Sequence, residues 1–189
     1  MKKKEDSLAP TLWRTCRVLA SLNRLRCLKA VLKTPGRTVE DVAAAAGLTE
    51  PKTSLALRAL QSRGILSSRR RSRWAHYHPE PDSTVATAKP FLDAAKRALV
   101  DSRMPEQDVR SAMQAYTHPR RIAIVRALAH ADNLQPADLC ETLDISPEAM
   151  ARHLKKLETL GVIELTKKGC RLAKPGSELA KALLRIILS

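Results

Sequence analysis

The chain has 189 residues, a formal net charge of +15 and a pI near 10.2, a balance that favours nucleic acid as the partner. Aromatic residues make up 3% of it, so any core must be aliphatic. No apolar run approaches the roughly 18 residues of a membrane-spanning helix, and Arg14, Arg17, Arg24 and Arg26 interrupt any signal-peptide core, so no secretory leader is expected.

The charge is uneven: residues 1–80 carry net +11 and residues 81–189 carry net +4, so the first half is the main electrostatic footprint. The four cysteines, Cys16, Cys27, Cys140 and Cys170, show no CxxC spacing, and three fall in apolar patterns. Buried thiols in a reducing cytoplasm are the expectation.

Residues 1–7, MKKKEDS, are too charged to join a core. Leu8, Leu12, Cys16 and Leu19 share one face of a helix over 8–20. Ser21 is placed to cap a helix over about 22–33, whose apolar residues are Leu22, Leu25, Leu28, Val31 and Leu32; Pro35-Gly36 breaks it. Thr38 caps a short helix running through Ala46, with Asp41 suited to its positive end, and Gly47 stops it. Another helix spans about 50–63. Ile65-Leu66 and Trp74–His78 read as two strands, with Arg69, Arg70, Arg71, Ser72 and Arg73 at the tip between them. So dense a cluster of one sign repels itself in a core and suits phosphate. Trp74 and Tyr77 are expected to anchor this hairpin on its domain.

Pro79 and Pro81 end the second strand. Residues 84–101 read as a helix with Val85, Phe91, Ala95, Ala98 and Leu99 apolar and Pro90 as a kink or division; Pro105 begins another over about 106–116. These segments are too apolar for a loose linker and should pack between or across the domains. Thr117-His118-Pro119 opens a helix over 119–130, Pro136 opens one over 136–143, and Asp144-Ile145 make a turn.

Residues 146–163, SPEAMARHLKKLETLGVI, organise the rest. Ser146 is an N-cap candidate and Pro147 suits the first helical position. Met150, Leu154 and Leu157 form one apolar stripe, while Glu148, Arg152 and Lys155 point roughly the other way. Gly161 stops the helix and Val162-Ile163 starts a strand. A buried stripe with a charged face opposite suits a helix laid in the major groove of DNA. A short hairpin over 162–173 follows, Lys168-Gly169 at its tip, then an amphipathic helix over 175–188 with Leu179, Leu183, Ile186 and Ile187 apolar.

The same pattern occurs 97 positions upstream, in TEPKTSLALRALQSRGIL at 49–66. Between 24–66 and 121–163 only six of 43 pairs are identical, but apolar positions such as Leu28/Val125, Val42/Leu139 and Leu48/Ile145 keep register without a gap. The expected fold is therefore mainly α with small β wings (α+β): two tandem winged helix-turn-helix domains at 8–82 and 116–189, joined by a helical connector at 83–115.

DLCETLDISPEAMARHLKKLETLGVI, residues 138–163, resembles the DLCxxLxxSxxxxSRHLxxLxxxGLV pattern of the ArsR-type winged-helix regulators, with Ala151 where Ser is usual. GLTEPKTSLALRALQSRGIL followed by RRRSRWAHYH is similar to the same pattern plus the family wing. The resemblance covers most of 12–78 and 116–173 and implies a cytoplasmic, nucleoid-associated transcriptional regulator that binds double-stranded DNA. Three departures matter. Metal-sensing members carry cysteines just before the position of Cys140, where this chain has Gln135 and Ala137, and one thiol cannot build a multidentate soft site. Most members have one domain and dimerise, whereas this chain reads as an intramolecular pseudo-dimer or a homodimer. Leu55 and Ala56 replace the usual Arg-His, so the first copy should read bases poorly.

The DNA-binding candidates are Lys52, Thr53, Ser54 and Arg58 on the first recognition helix, and Arg69, Arg70, Arg71 and Arg73 on its wing. In the second copy they are Ser146, Glu148, Arg152, His153 and Lys155, with Lys167 and Lys168 on the wing. The spacing of His118, His130 and His153 suggests no metal site and favours capping or surface roles. No phosphate-binding glycine loop, catalytic triad or paired carboxylate in an apolar setting is found, so neither a cofactor nor catalysis is expected. A replication initiator, a chromosome-architecture protein or a protein-interaction module using the same fold are the alternatives.

Overall fold

The computed structural model describes residues 11–131 and 133–189; the charged N-terminal stretch and the start of the first helix at Leu8 lie outside them. Ten α-helices and two antiparallel strand pairs are present among the described residues, a mainly helical α+β chain. In order these are α1 (Leu12–Leu19), α2 (Leu22–Lys33), α3 (Val39–Ala46), α4 (Glu50–Gln61), β1 (Ser67–Arg71), β2 (Trp74–His78) and α5 (Ala88–Lys96). There follow α6 (Glu106–Gln114), α7 (Pro119–His130), α8 (Pro136–Leu143), α9 (Pro147–Thr159), β3 (Ile163–Thr166), β4 (Gly169–Leu172) and α10 (Glu178–Leu188). A π-helical turn, Arg97–Asp101, continues α5. No helix among the described residues is long and apolar enough to cross a membrane.

The order helix, helix, helix, hairpin thus occurs twice, as α2-α3-α4-β1-β2 and α7-α8-α9-β3-β4. Backbone conformation repeats with it. Positive φ occurs at Gly36 and Asn133, Gly47 and Asp144, Gly64 and Gly161, and Ser72 and Gly169, four pairs each 97 positions apart. The first pair precedes the second helix, the next closes the tight turn, the third ends the third helix and the fourth sits at the hairpin tip. Only glycine takes such angles without steric cost; asparagine and aspartate tolerate them through local hydrogen bonding. The residue two places before each second helix also makes an isolated bridge to a hairpin strand, Arg37 with Tyr77 and Leu134 with Cys170.

Gly64 and Gly169 are needed for space as well. A Cβ on Gly64 would lie 2.9 Å from the Cβ of Asp82, and one on Gly169 would lie 2.7 Å from the carbonyl oxygen of Leu134.

One apolar cluster runs through both halves. It takes Leu25, Leu28, Leu57 and Leu60 from the first half, Phe91, Leu99 and Met113 from the connector, and Val125, Leu139, Leu157, Leu183 and Ile187 from the second. Helices α5 and α6 and the π turn between them pack on α1, α2 and α10. Two polar ties reinforce it. Lys29 Nζ meets Glu106 Oε1 at 2.6 Å between α2 and α6, and Arg126 Nε donates to the Ile187 carbonyl at 2.7 Å between α7 and α10. Arg121 closes the entry to α7 by donating to the carbonyls of Ala115 and Gln114 and to the Thr117 hydroxyl.

Local expectations fail in several places. Ser21 and Ser146 occupy N-cap positions without a side-chain capping bond. The bonded caps are Thr38, in a reciprocal capping box with Asp41, His118, whose Nδ1 accepts from the Arg120 amide, and Ser177. Pro90 causes no kink, because it falls in the first turn of α5, where no i−4 hydrogen bond is lost. The first hairpin is longer than expected: Ile65 and Leu66 are buried before it, and Arg69, Arg70 and Arg71 lie within β1, leaving Ser72 and Arg73 as the turn.

Candidate nucleic-acid interface

Helix α9 holds its position through Met150, Leu154 and Leu157, all buried, and this turns Glu148, Arg152 and Lys155 to solvent. Ser146 is exposed at its N-terminus. Lys155 Nζ stands 3.5 Å from Glu158, a weak surface pair. His153 is half-buried, and its ring lies 4.7 Å from that of His118, centroid to centroid, at 38°. Burial holds both rings below the usual histidine range, and Arg120 and Arg121 push the same way. His118 at the head of α7 thus shapes the surroundings of α9, a contact that sequence spacing did not single out.

Helix α4 presents Lys52, Leu55 and Arg58 outward, Leu55 being 67% exposed, and Ser54 is half-buried. Thr53 is fully buried, and its hydroxyl lies beside the Cys27 thiol. It cannot belong to an outward reading face, because the apolar stripe of α4 takes in Thr53, Ala56, Leu57 and Leu60 together.

The two hairpins differ in charge. In the first, Arg69, Arg70, Arg71 and Arg73 are all exposed. Arg69 is engaged with Glu80 at 2.7 and 3.0 Å, and Glu80 also accepts from the Ser67 hydroxyl, which with Arg69 holds its carboxyl below the usual range. No ion pair engages Arg70, Arg71 or Arg73 among the described residues. In the second, Arg171 is bound to Glu164 across the strands at 2.6 and 2.8 Å, and no ion pair engages Lys167 or Lys168 at the exposed turn among the described residues. The Gln135 side chain donates to the Lys168 carbonyl and fastens that turn to the head of α8.

Tyr77 packs inward as expected, but Trp74 does not. It is 48% exposed at the start of β2, with the Arg73 guanidinium 5.1 Å from its ring centroid. Strand alternation explains the difference: Tyr77 and Ala75 share the inward face, and Trp74 lies on the other.

An apolar cleft of about 920 Å³ lies between α8, α9 and the second hairpin. Cys140, Met150, Leu154 and Leu165 line it, and Glu141 and Lys155 supply charge. Among the described residues, no group of three or more His, Cys, Asp or Glu side chains could hold a metal ion.

No curated protein matches the chain. Among solved structures it is similar to human N-acetylserotonin methyltransferase in complex with SAM, at 18% identity and a TM-score of 0.35. That similarity covers 86% of this chain, which spans 45% of the methyltransferase chain. This finding runs against the expectation that catalysis has no place here, and that expectation is withdrawn. A TM-score of 0.35 carries no argument for methyl transfer either. Residues 116–166 match a family described as a helix-turn-helix domain, and the matched segment spans α7, α8, α9 and β3. This part of the chain, with its buried stripe and charged outer face on α9, is similar to that helix-turn-helix family.

Proposed function

We propose that the chain is a transcriptional regulator of the ArsR-like winged-helix type that binds duplex DNA through two tandem winged-helix domains, 8–82 and 116–189, joined by the connector 83–115. The observation that carries this reading is the outward, charged face of α9 within the helix-turn-helix segment. The repeated positive-φ positions support treating α2–β2 as a second copy of α7–β4. The shared apolar core supports an intramolecular pseudo-dimer, in which one chain supplies both DNA-binding units at a fixed spacing. Cytoplasmic, nucleoid-associated placement follows from that role.

The two copies divide the work. Arg70, Arg71 and Arg73, with Lys52 and Arg58, neutralise phosphates and set register, which carries no sequence information. On α9, Arg152 has the geometry to bind guanine O6 and N7, and Glu148 to accept from cytosine N4. On α4 the corresponding outward residue is Leu55, which offers only apolar contact to a thymine methyl. The first copy therefore anchors and the second discriminates. Ser146, Lys155, Lys167 and Lys168 add backbone contacts, Ser54 and His153 contribute from half-buried positions, and Arg69 is shared with Glu80.

The test is a duplex-binding titration on preferred and random DNA across a range of salt. With about six phosphates neutralised, log K falls against log salt with a slope near −5. Arg152→Ala weakens the preferred site by ~1–3 kcal/mol and random DNA little. Replacing Arg70 and Arg71 with Ala weakens both duplexes by similar factors and flattens the slope. A slope between zero and −1, or equal loss on both duplexes for Arg152→Ala, refutes the assignment.

A further inference from the structure

The chain spends one of its two tryptophans at the tip of its most basic hairpin. Among its five aromatic residues, Tyr77, Phe91 and Tyr116 are buried and Trp13 is half-buried, so Trp74 alone is exposed. A tryptophan left in water contributes little to folding, so its position asks for a partner surface. Three observations give that partner's chemistry. Arg71 is directly opposite Trp74 in the strand register, so the two side chains leave the same face of the hairpin a few ångströms apart. Arg73 lies over the indole from the turn, at 5.1 Å. Neither arginine has a carboxylate partner among the described residues. An apolar ring between two open guanidinium groups complements a polymer that alternates flat apolar rings with phosphates.

We propose that Trp74 is a DNA-contacting wedge: the tip of the β1-β2 hairpin enters a groove of the bound duplex and the indole lies against base or deoxyribose surface. Arg71 and Arg73 take phosphates on either side of it. This rests on the duplex-binding function proposed above. It gives the first copy an apolar contact with the bases, in addition to phosphate anchoring.

The experiment uses the full chain with Trp13→Phe, so that Trp74 is the only tryptophan, and a short fluorescein-labelled duplex of mixed sequence. Anisotropy of the label reports binding, and tryptophan emission, read on an unlabelled copy of the duplex, reports the environment of Trp74. The expected result is quenching of Trp74 emission that saturates together with anisotropy. In the otherwise native chain, Trp74→Ala weakens the duplex about tenfold while Trp74→Phe keeps most of the affinity, and neither moves the unfolding temperature. Saturated anisotropy with unchanged emission overturns the wedge and leaves duplex binding standing; absence of any anisotropy change overturns both. The wedge also falls if Trp74→Ala lowers the unfolding temperature, which means the ring packs within the fold. It falls again if that variant abolishes self-association seen by sedimentation without DNA, which means the ring meets a second copy.

Discussion

Gly64 and Gly161 stand at equivalent places in the two runs of three helices and a hairpin, and their substitution separates two costs that usually arrive together. Both end the third helix of their unit in nearly the same left-handed conformation, φ +68° and φ +67°. Alanine at either therefore carries the same backbone strain, roughly 1–2 kcal/mol. The surroundings differ. A Cβ on Gly161 meets nothing within 4 Å, whereas one on Gly64 falls 2.9 Å from Asp82 Cβ and 3.2 Å from Val85 Cγ2. The segment at 82–85 cannot simply swing clear, because the Asp82 amide donates to the Gly64 carbonyl at 2.9 Å and the Asp82 carboxylate is engaged by Thr84. Overpacking of this kind adds about 1–3 kcal/mol. Gly64→Ala should then melt below Gly161→Ala by about 2–12 °C, taking roughly 2–4 °C per kcal/mol for a chain of this size. Thermal unfolding of both variants, followed by circular dichroism, measures the difference. Equal losses refute the close packing of 82–85 over Gly64, and an unchanged Gly161→Ala refutes the strain argument.

Thiol reactivity should follow burial. Burial pushes the Cys16 thiol up to about 12 and the Cys27 thiol up to about 11, so both should resist a thiol reagent until the chain unfolds, while half-buried Cys140 in its cleft reacts first. Labelling followed by peptide mass spectrometry checks the order, and Cys16 reacting as fast as Cys140 would contradict it. The His118–His153 pair makes stability depend on pH with a definite sign. Both folded values lie below the unfolded value of 6.5, so the unfolded chain takes up protons first: stability is full above that value and drains as pH falls through it toward the folded values. Melting temperature measured from pH 7 to about 5 should fall less steeply in His153→Gln than in the native chain, and parallel curves would remove the pair as a cause. Binding of duplex should not respond to zinc, because Cys140 has Gln135 and Ala137 where cysteine partners would stand. A zinc-dependent shift in affinity that vanishes in Cys140→Ser would reverse that expectation.

Most of the helical fold was legible because it rests on local chemistry that a pattern can show. The apolar stripes of α2, α4 and α9, the Thr38 cap and the Gly47 stop all act within one or two turns. The hairpin was less legible, since a run of arginines carries no alternation that would mark a strand. Arg69, Arg70 and Arg71 join the ladder by pairing with His76, Ala75 and Trp74, and that pairing becomes visible only once the register is known. Capping was misread for a related reason. Ser21 and Ser146 have the right residue type, but a hydroxyl in reach of an amide depends on a rotamer that sequence does not record.

The site was legible in proportion to how far each residue's role depends on its own helix. Glu148, Arg152 and Lys155 lie opposite a clear apolar stripe, and they are exposed as the helical period requires. Thr53 sits on the boundary of its stripe, where a hundred-degree step decides little, and the packing of α4 on α2 near Cys27 draws it inside. His153 and His118 are separated by 35 positions, and no periodicity relates them; their contact exists because α7 crosses α9. The same logic accounts for the weak identity between the copies. Six identities in 43 pairs would not persuade by themselves, yet the backbone retains all four positive-φ positions while their residues change from Gly to Asn, Gly to Asp and Ser to Gly. What recurs is a path for the chain, set by turn geometry and buried volume. The outward residues stand outside those two constraints: the first unit presents Leu55 and Trp74 where the second presents Arg152 and an Arg171 paired with Glu164.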